Sequence, residues 1–306
     1  MKICIAGIGG IGGTLGGVLA KKYNDVSFIA RGSRKEKLSK DGLMVNSKLW
    51  GNFVAKPKIV TDDVKKIETP DLLFICVKSY SLEMMCKEVE PLIGENTLVI
   101  PVMNGVDSAE RTRAYLPNAN VVDAVIYITT SSLKDYSISQ VGNTYKLEIG
   151  RKNEDEILYA KIEEVIKVLA AAGLEAKHSK DIEATCWKKF IMNCGFNVIT
   201  ARYLINTGAI QESEKIRGEL KALLEEALAV ALAKGINLEK DLAQIYYKRI
   251  VKDISADSSS SMKLDFENKR KSEIELFGGY IVREAKKIGV KVPVTEEFYE
   301  AMKKMV

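Results

Sequence analysis

The chain opens on Met1-Lys2-Ile3-Cys4-Ile5-Ala6-Gly7-Ile8-Gly9-Gly10-Ile11-Gly12. A short β-type run leads straight into G-x-G-x-x-G, and the residues from Gly13 to Lys22 can continue as a helix. A second β-type run follows at Val26 to Ala30. This strand–loop–helix–strand order gives the glycine motif the context that a dinucleotide loop requires. A helix N-terminus offers free N–H groups to a pyrophosphate, and glycines let the backbone approach it closely. The segment Gly7, Ile8, Gly9, Gly10, Ile11 and Gly12 is the expected cofactor loop. The run Ile3 to Ala20 is free of charge, but seven of its residues are glycine, which spoils a membrane helix. Only Lys2 precedes it and no cleavage site stands apart from the glycines, so no targeting segment or membrane association is expected.

The end of the second strand sets the choice of cofactor. NAD binders usually carry an acid there to hold the ribose 2′-hydroxyl. This chain has Ala30-Arg31-Gly32-Ser33-Arg34-Lys35 instead. A guanidinium suits a 2′-phosphate, which it binds in a bidentate manner. Arg31 therefore favours NADP(H); the alternative is a solvated basic loop.

At 306 residues there is room for two domains with full cores. A net charge of +5, spread along helices, gives no nucleic-acid signature. Cysteines 4, 76, 86, 186 and 194 form no C-x-x-C pair and no zinc constellation. They read as reduced, mostly buried thiols in a cytoplasmic protein without a metal. The single histidine, His178, lies in a polar stretch and reads as a surface connector residue. A carbonyl reductase built on this chain would need another proton donor.

The first half alternates strand-like and helix-like runs. Strands are expected at Ile3–Ala6, Val26–Ala30, Leu72–Val77, Leu98–Val102 and Val121–Thr129, with Val141–Gly150 antiparallel and Gly142-Asn143 as its turn. Leu158 to Ala172 reads as an amphipathic helix stopped at Gly173. The pattern is α/β: an N-terminal Rossmann-type doubly wound sheet followed by an all-α C-terminal domain. The expected boundaries are 1–175 and 176–306. In the second part, Ser213–Ala233 reads as core or dimer surface, which leaves a homodimer open. A polar break at 257–262 is followed by an expected helix from about Lys263 to Ile288.

Within Trp187–Thr200, an otherwise apolar helix, Lys189, Asn193 and Asn197 recur every four residues. At about 100° per residue they fall within an arc of roughly 80°. Two amides and an ammonium on a buried face need polar neighbours: a substrate, or a hydrogen-bond ladder to another helix. Ligands of doubly wound sheets bind outside the carboxyl ends of the strands. Lys78 and Asn104 stand at two such ends, as ligand contacts or as plain loop residues. Ser261 begins a helix after a serine run, as a simple cap or a carboxylate binder. Glu273 and Glu275 are neighbouring acids, either of which could be functional or solvated.

Together these pieces resemble the ketopantoate reductase (2-dehydropantoate 2-reductase) family over essentially the whole chain. The likeness runs through Gly7-x-Gly9-x-x-Gly12, Lys78, Asn104-Gly105, Trp187-x-Lys189-x-x-x-Asn193-x-x-x-Asn197, Ser261-Met262-x-x-Asp265, Ser272-Glu273-Ile274-Glu275, and Gly289 with Pro293. The resemblance implies NADPH-dependent reduction of 2-dehydropantoate to pantoate, a step toward pantothenate and coenzyme A. It implies an active site in a cleft between the domains, with Lys189 as general acid and Glu273 holding the substrate hydroxyl and orienting Lys189. Asn193, Asn197 and Ser261 would bind substrate, Asn104 would sit near the nicotinamide, Lys78 near cofactor or substrate, and Arg31 at the 2′-phosphate. Two departures are Met103, where the family often has Gln or His, and Gln140, in a region that commonly carries His. Reduction of another small 2-oxo acid, or a non-catalytic NADPH sensor, are the competing readings.

Overall fold

A computed structural model describes residues 1–305. The chain divides into two compact units, Met1–Ile182 and the residues from Glu183 on.

The first unit is built from β1 (Ile3–Ala6), α1 (Gly10–Lys22), β2 (Val26–Ile29), α2 (Gly32–Asp41), β3 (Leu43–Ser47), β4 (Phe53–Ala55) and β5 (Ile59–Thr61). It continues with β6 (Leu72–Ile75), α3 (Leu82–Val89), β7 (Leu98–Pro101), α4 (Ser108–Tyr115), β8 (Asn120–Val121), β9 (Asp123–Ser132), β10 (Ile138–Gly150), α5 (Glu156–Ala171) and β11 (Ala176–His178). The six-stranded parallel sheet has the order β5-β2-β1-β6-β7-β8. Numbered by their own sequence, these strands read 3-2-1-4-5-6, the order whose reversal between β1 and β6 opens a crevice for a dinucleotide.

Both faces of this sheet are covered, so β1, β6 and β7 are apolar at every position rather than alternate ones. Ile3, Ile5, Phe28, Leu72, Phe74 and Ile100 point into one core. Cys4, Ala6, Ile29, Leu73, Ile75 and Val99 point into the other. A second sheet, ordered β11-β10-β3-β4 with β9 antiparallel to β10, packs beside α1.

The structure corrects the strand reading in three places. The single strand expected over Val121–Thr129 is two: β8 ends the parallel sheet and β9 starts the second one. Gly142-Asn143 is an irregularity inside β10, where the register against β9 shifts between Val141 and Tyr145. The turn lies earlier, where Tyr136 N–H bonds to Leu133 carbonyl at 3.0 Å. Strand β11, absent from the expected strands, pairs in parallel with β10, and the first compact unit runs to Ile182.

The second unit is helical: α6 (Ile182–Tyr203, whose first residue lies in the first unit), α7 (Thr207–Glu212), α8 (Glu214–Ala233), α9 (Leu242–Lys252) and α10 (Ser261–Glu267). A π-helical turn at Glu275–Gly279, α11 (Tyr280–Ile288) and α12 (Pro293–Lys303) complete it. The continuous helix expected from Lys263 to Ile288 is therefore broken. Lys269 takes a left-handed φ of +51°, and 268–273 leave the helix before the π turn. Helix α8 buries Leu220, Leu223, Leu224, Ala227, Leu228, Val230 and Ala231 within its own unit. At Gly195 of α6 an added Cβ would lie 2.5 Å from Leu224 Cδ2, so only glycine lets α6 approach α8 this closely. Among the described residues no helix is long and apolar enough to cross a membrane, and no cluster of three or more His, Cys, Asp or Glu could hold a metal ion.

Candidate functional site

In the first unit the glycine loop joins β1 to α1 by geometry that only glycine allows. Gly7 has φ +98°, and a Cβ there would meet Cys76 carbonyl at 2.9 Å. A Cβ on Gly12 would come within 2.0 Å of Gly7 carbonyl. These contacts press the loop against the end of β6 and against the first turn of α1. Gly9, by contrast, has nothing within 4 Å of its Cβ position. Helix α1 starts without a side-chain cap and without an acid in its first turn. Its leading amides thus keep the partial positive charge of a helix N-terminus. Open space above Gly9 and uncapped amides fit a pyrophosphate.

The basic segment after β2 is arranged differently from the sequence reading. Arg31 caps α2 in an extended conformation and its guanidinium forms an ion pair with Glu88 on α3. Arg34, which the reading left unassigned, reaches back to the glycine loop. Its guanidinium donates to Ile8 carbonyl and stacks over the Tyr136 ring, 5.0 Å from its centre. Burial holds the Arg34 pKa below the usual arginine range. Ser33 and Tyr136 hydroxyls meet at 2.5 Å, tying the tip of the β9–β10 hairpin to α2. Arg34 had a signal in the same basic run; Glu88 had none, standing 57 residues from its partner.

Lys78 and Asn104 follow β6 and β7, and both are half-buried. Lys78 carbonyl accepts from Ser81 N–H at 2.8 Å, closing a short turn. Gly105, at φ +107°, lets the chain reverse after Asn104, whose carbonyl accepts from Ser108 Oγ at 3.0 Å. Gln140 is an internal fastener. Its Oε1 accepts from Ser47 Oγ at 2.7 Å, and its Nε2 donates to Val141 carbonyl at 2.8 Å.

In the second unit the face of α6 carries Lys189, Asn193 and Asn197. Asn197 is 6% exposed, while Lys189 and Asn193 are half-buried. Among the described residues no side-chain hydrogen bond ties Asn193 or Asn197 to the protein, so there is no amide ladder to a neighbouring helix. Burial lowers the Lys189 pKa to about 8; Cys186 and Glu273 act against it. The desolvation of the ammonium thus outweighs the attraction of the carboxylate. Glu273 is 4% exposed and lies just before the π turn, its carbonyl accepting from Leu276 and Phe277 amides at 2.9 and 3.1 Å. An aromatic cluster fixes that turn to α6: Phe190 packs 5.5 Å from Trp187, 5.9 Å from Phe277 and 5.4 Å from Tyr280. A π turn holds an extra residue and commonly marks functional sites.

The two acids separate clearly. Glu275 is exposed and bonds to Arg283 at 3.1 Å and Tyr299 hydroxyl at 2.6 Å. The helix cap is Ser260, not Ser261: Ser260 Oγ accepts from Lys263 N–H at 3.1 Å and meets Thr200 Oγ1 of α6 at 2.7 Å. Ser261 is the first helical residue and is exposed. His178 is also not a surface residue. Its side chain is 11% exposed, with Nδ1 2.9 Å from Glu163 and Nε2 2.8 Å from Glu154. The polar letters around it hid a β strand whose histidine faces α5. All five cysteines are free and buried; burial raises the Cys4 thiol to about 12.

Residues 3–154 match the family model described as ketopantoate reductase PanE/ApbA, and residues 181–306 match its C-terminal model. An uncharacterized oxidoreductase, YkpB of Bacillus subtilis (strain 168), is 27% identical, covering 98% of this chain and 97% of its own. The crystal structure of 2-dehydropantoate 2-reductase from Porphyromonas gingivalis W83 superposes with a TM-score of 0.83 at 29% identity, covering 99% of both chains. The ternary structure of D-mandelate dehydrogenase with NADH and anilino(oxo)acetate shares the fold, with a TM-score of 0.89 at 23% identity over 100% of this chain and 98% of that one. A glycine-loop unit followed by a helical unit, each matched by its own family model, makes this chain an oxidoreductase of the ketopantoate reductase family.

Proposed function

We propose that this chain is an NADPH-dependent 2-dehydropantoate 2-reductase that forms pantoate. The observation that carries the reading is the α6 face: a lysine with its pKa brought down to about 8, beside two amides that make no side-chain hydrogen bond among the described residues. A buried carboxylate acts on the same lysine. When bound, the reduced nicotinamide supplies a hydride to C2 of the oxo acid. The chain's own residues do the rest. Lys189 donates the proton that turns the developing alkoxide at C2 into a hydroxyl. At neutral pH an ammonium with a pKa near 8 is mostly protonated, yet gives up its proton far more readily than an ordinary lysine. Its charge also stabilises the oxyanion in a partly desolvated setting, where that effect exceeds its value in water. Asn193, Asn197 and the exposed hydroxyl of Ser261 hold the substrate's carboxylate and hydroxyl. Glu273 accepts from the substrate hydroxyl and holds Lys189 in position.

The cofactor reading rests on the open, uncapped glycine loop and on the cations Arg31 and Arg34 after β2. Asn104 and Lys78, at the carboxyl ends of β7 and β6, complete the cofactor contacts.

A second reading, reduction of another small 2-oxo acid, draws on Met103. It is 5% exposed beside Asn104, where family members often have a polar residue. NADPH absorbance decay with 2-dehydropantoate, 2-oxoisovalerate and pyruvate separates the two. Fast decay restricted to 2-dehydropantoate is the expected result. A higher kcat/KM for either other acid would move the substrate, and NADPH binding with no oxidation on all three would leave a sensor.

A further inference from the structure

We propose that Glu88 is a cofactor-selectivity residue, one that weakens NADPH relative to NADH by holding the guanidinium of Arg31. The inference rests on the nicotinamide-cofactor reading above and goes beyond it. Arg31 follows β2, where the adenosine ribose of a dinucleotide lies in this fold. Its Nη2 pairs with Glu88, and its Nη1 lies 3.8 Å from Met84 Sδ. Met84 and Glu88 are four residues apart on α3 and so share one face of that helix. The guanidinium is thus seated on α3, not extended into solvent. The Arg31 side chain is 47% exposed and that of Glu88 only 16%, so the carboxylate is the more fixed partner.

A 2′-phosphate that engages Arg31 must share the guanidinium with this carboxylate or displace it. Either way two like charges lie within a few ångströms. A ribose 2′-hydroxyl meets the opposite situation, because a carboxylate is a good acceptor for it. Arg34 does not relieve the repulsion, since its guanidinium is turned to Ile8 carbonyl. Although the charged residues from 31 to 35 are all basic, the space around Arg31 contains an acid of the kind NAD binders usually carry on the strand end.

The test is Kd for NADPH and for NADH, read from nucleotide fluorescence, on wild type, Glu88→Gln and Arg31→Ala, with thermal unfolding of each. Glu88→Gln is expected to tighten NADPH about five- to twenty-fold at low salt, the scale of like-charge repulsion at that range, and less at high salt. NADH should be unchanged or weaker. Arg31→Ala should weaken NADPH selectively. A Kd ratio that stays within about two-fold of wild type in Glu88→Gln, in a protein that still binds both nucleotides, overturns this inference alone. An equal change for both nucleotides makes Glu88 a packing residue and overturns it too. Wild-type protein that binds neither nucleotide overturns the cofactor reading along with it.

Discussion

Replacing Lys189 by Met should remove a source of instability as well as activity. The ordinary lysine pKa of 10.5 falls to about 8 in the fold, chiefly by burial. That fall corresponds to roughly 3 kcal/mol held against the charged form. It is an upper figure, because Lys189 as a whole residue is only half-buried. The folded pKa lies below the unfolded one, so the folded state binds fewer protons between the two. The penalty is fully present below pH 8, shrinks as pH rises from 8 to 10.5, and is gone above that. The assay is urea unfolding of wild type and Lys189→Met at pH 7 and pH 10. Methionine has similar length and no charge. Taking the difference between the two pH values cancels what is constant across the window, such as packing; the attraction of Glu273 is already contained in the lysine's pKa. The variant's stability relative to wild type should be about 1–3 kcal/mol more favourable at pH 7 than at pH 10. A difference that does not change with pH, or that grows toward pH 10, would refute the claim that Lys189 is held charged against its desolvation.

The same pKa sets the rate profile: reductive turnover should fall as pH rises through about 8, because the proton donor is lost there. Glu273 raises the Lys189 pKa, so Glu273→Gln should move that limb to lower pH; a shift upward would contradict the pairing. Asn197→Ala should raise KM for the oxo acid about 10- to 100-fold, the loss of a hydrogen bond to a charged group, while NADPH binding is retained. Gly9→Ala should unfold at the wild-type temperature, since its Cβ meets nothing within 4 Å, yet bind NADPH at least about ten-fold more weakly, because the pyrophosphate needs that space. Normal NADPH binding in Gly9→Ala would remove the loop from the cofactor site.

Much of the first unit was legible because its central strands are buried on both faces and are apolar at every position. Ile3–Ala6 and Leu72–Ile75 announce themselves without any partner in view. Short strands of the second sheet do not. Leu43–Ser47 and Phe53–Ala55 bury only part of each strand, and Ala176–His178 carries Lys and His. Leu43–Ser47 and Ala176–His178 are placed by pairing with β10, and Phe53–Ala55 by pairing with Leu43–Ser47. The polar stripe on α6 was legible from a four-residue period, since helical geometry converts spacing into a shared face. What surrounds it was not. The π turn that fixes Glu273 depends on Phe190, Phe277 and Tyr280 packing, contacts that span more than eighty residues. The choice of Ser260 over Ser261 as the cap turns on its meeting with Thr200. The Arg31–Glu88 pair is equally non-local, and a basic run read alone misjudges its own electrostatics.

The central claim is that Lys189 is the proton donor of an NADPH-dependent oxo-acid reductase. The most direct measurement is kcat for 2-dehydropantoate with Lys189→Ala, run beside NADPH binding to the same protein. The account predicts a loss of about 10²-fold or more in kcat with cofactor affinity close to wild type. Turnover near the wild-type rate in a variant that binds NADPH would contradict it.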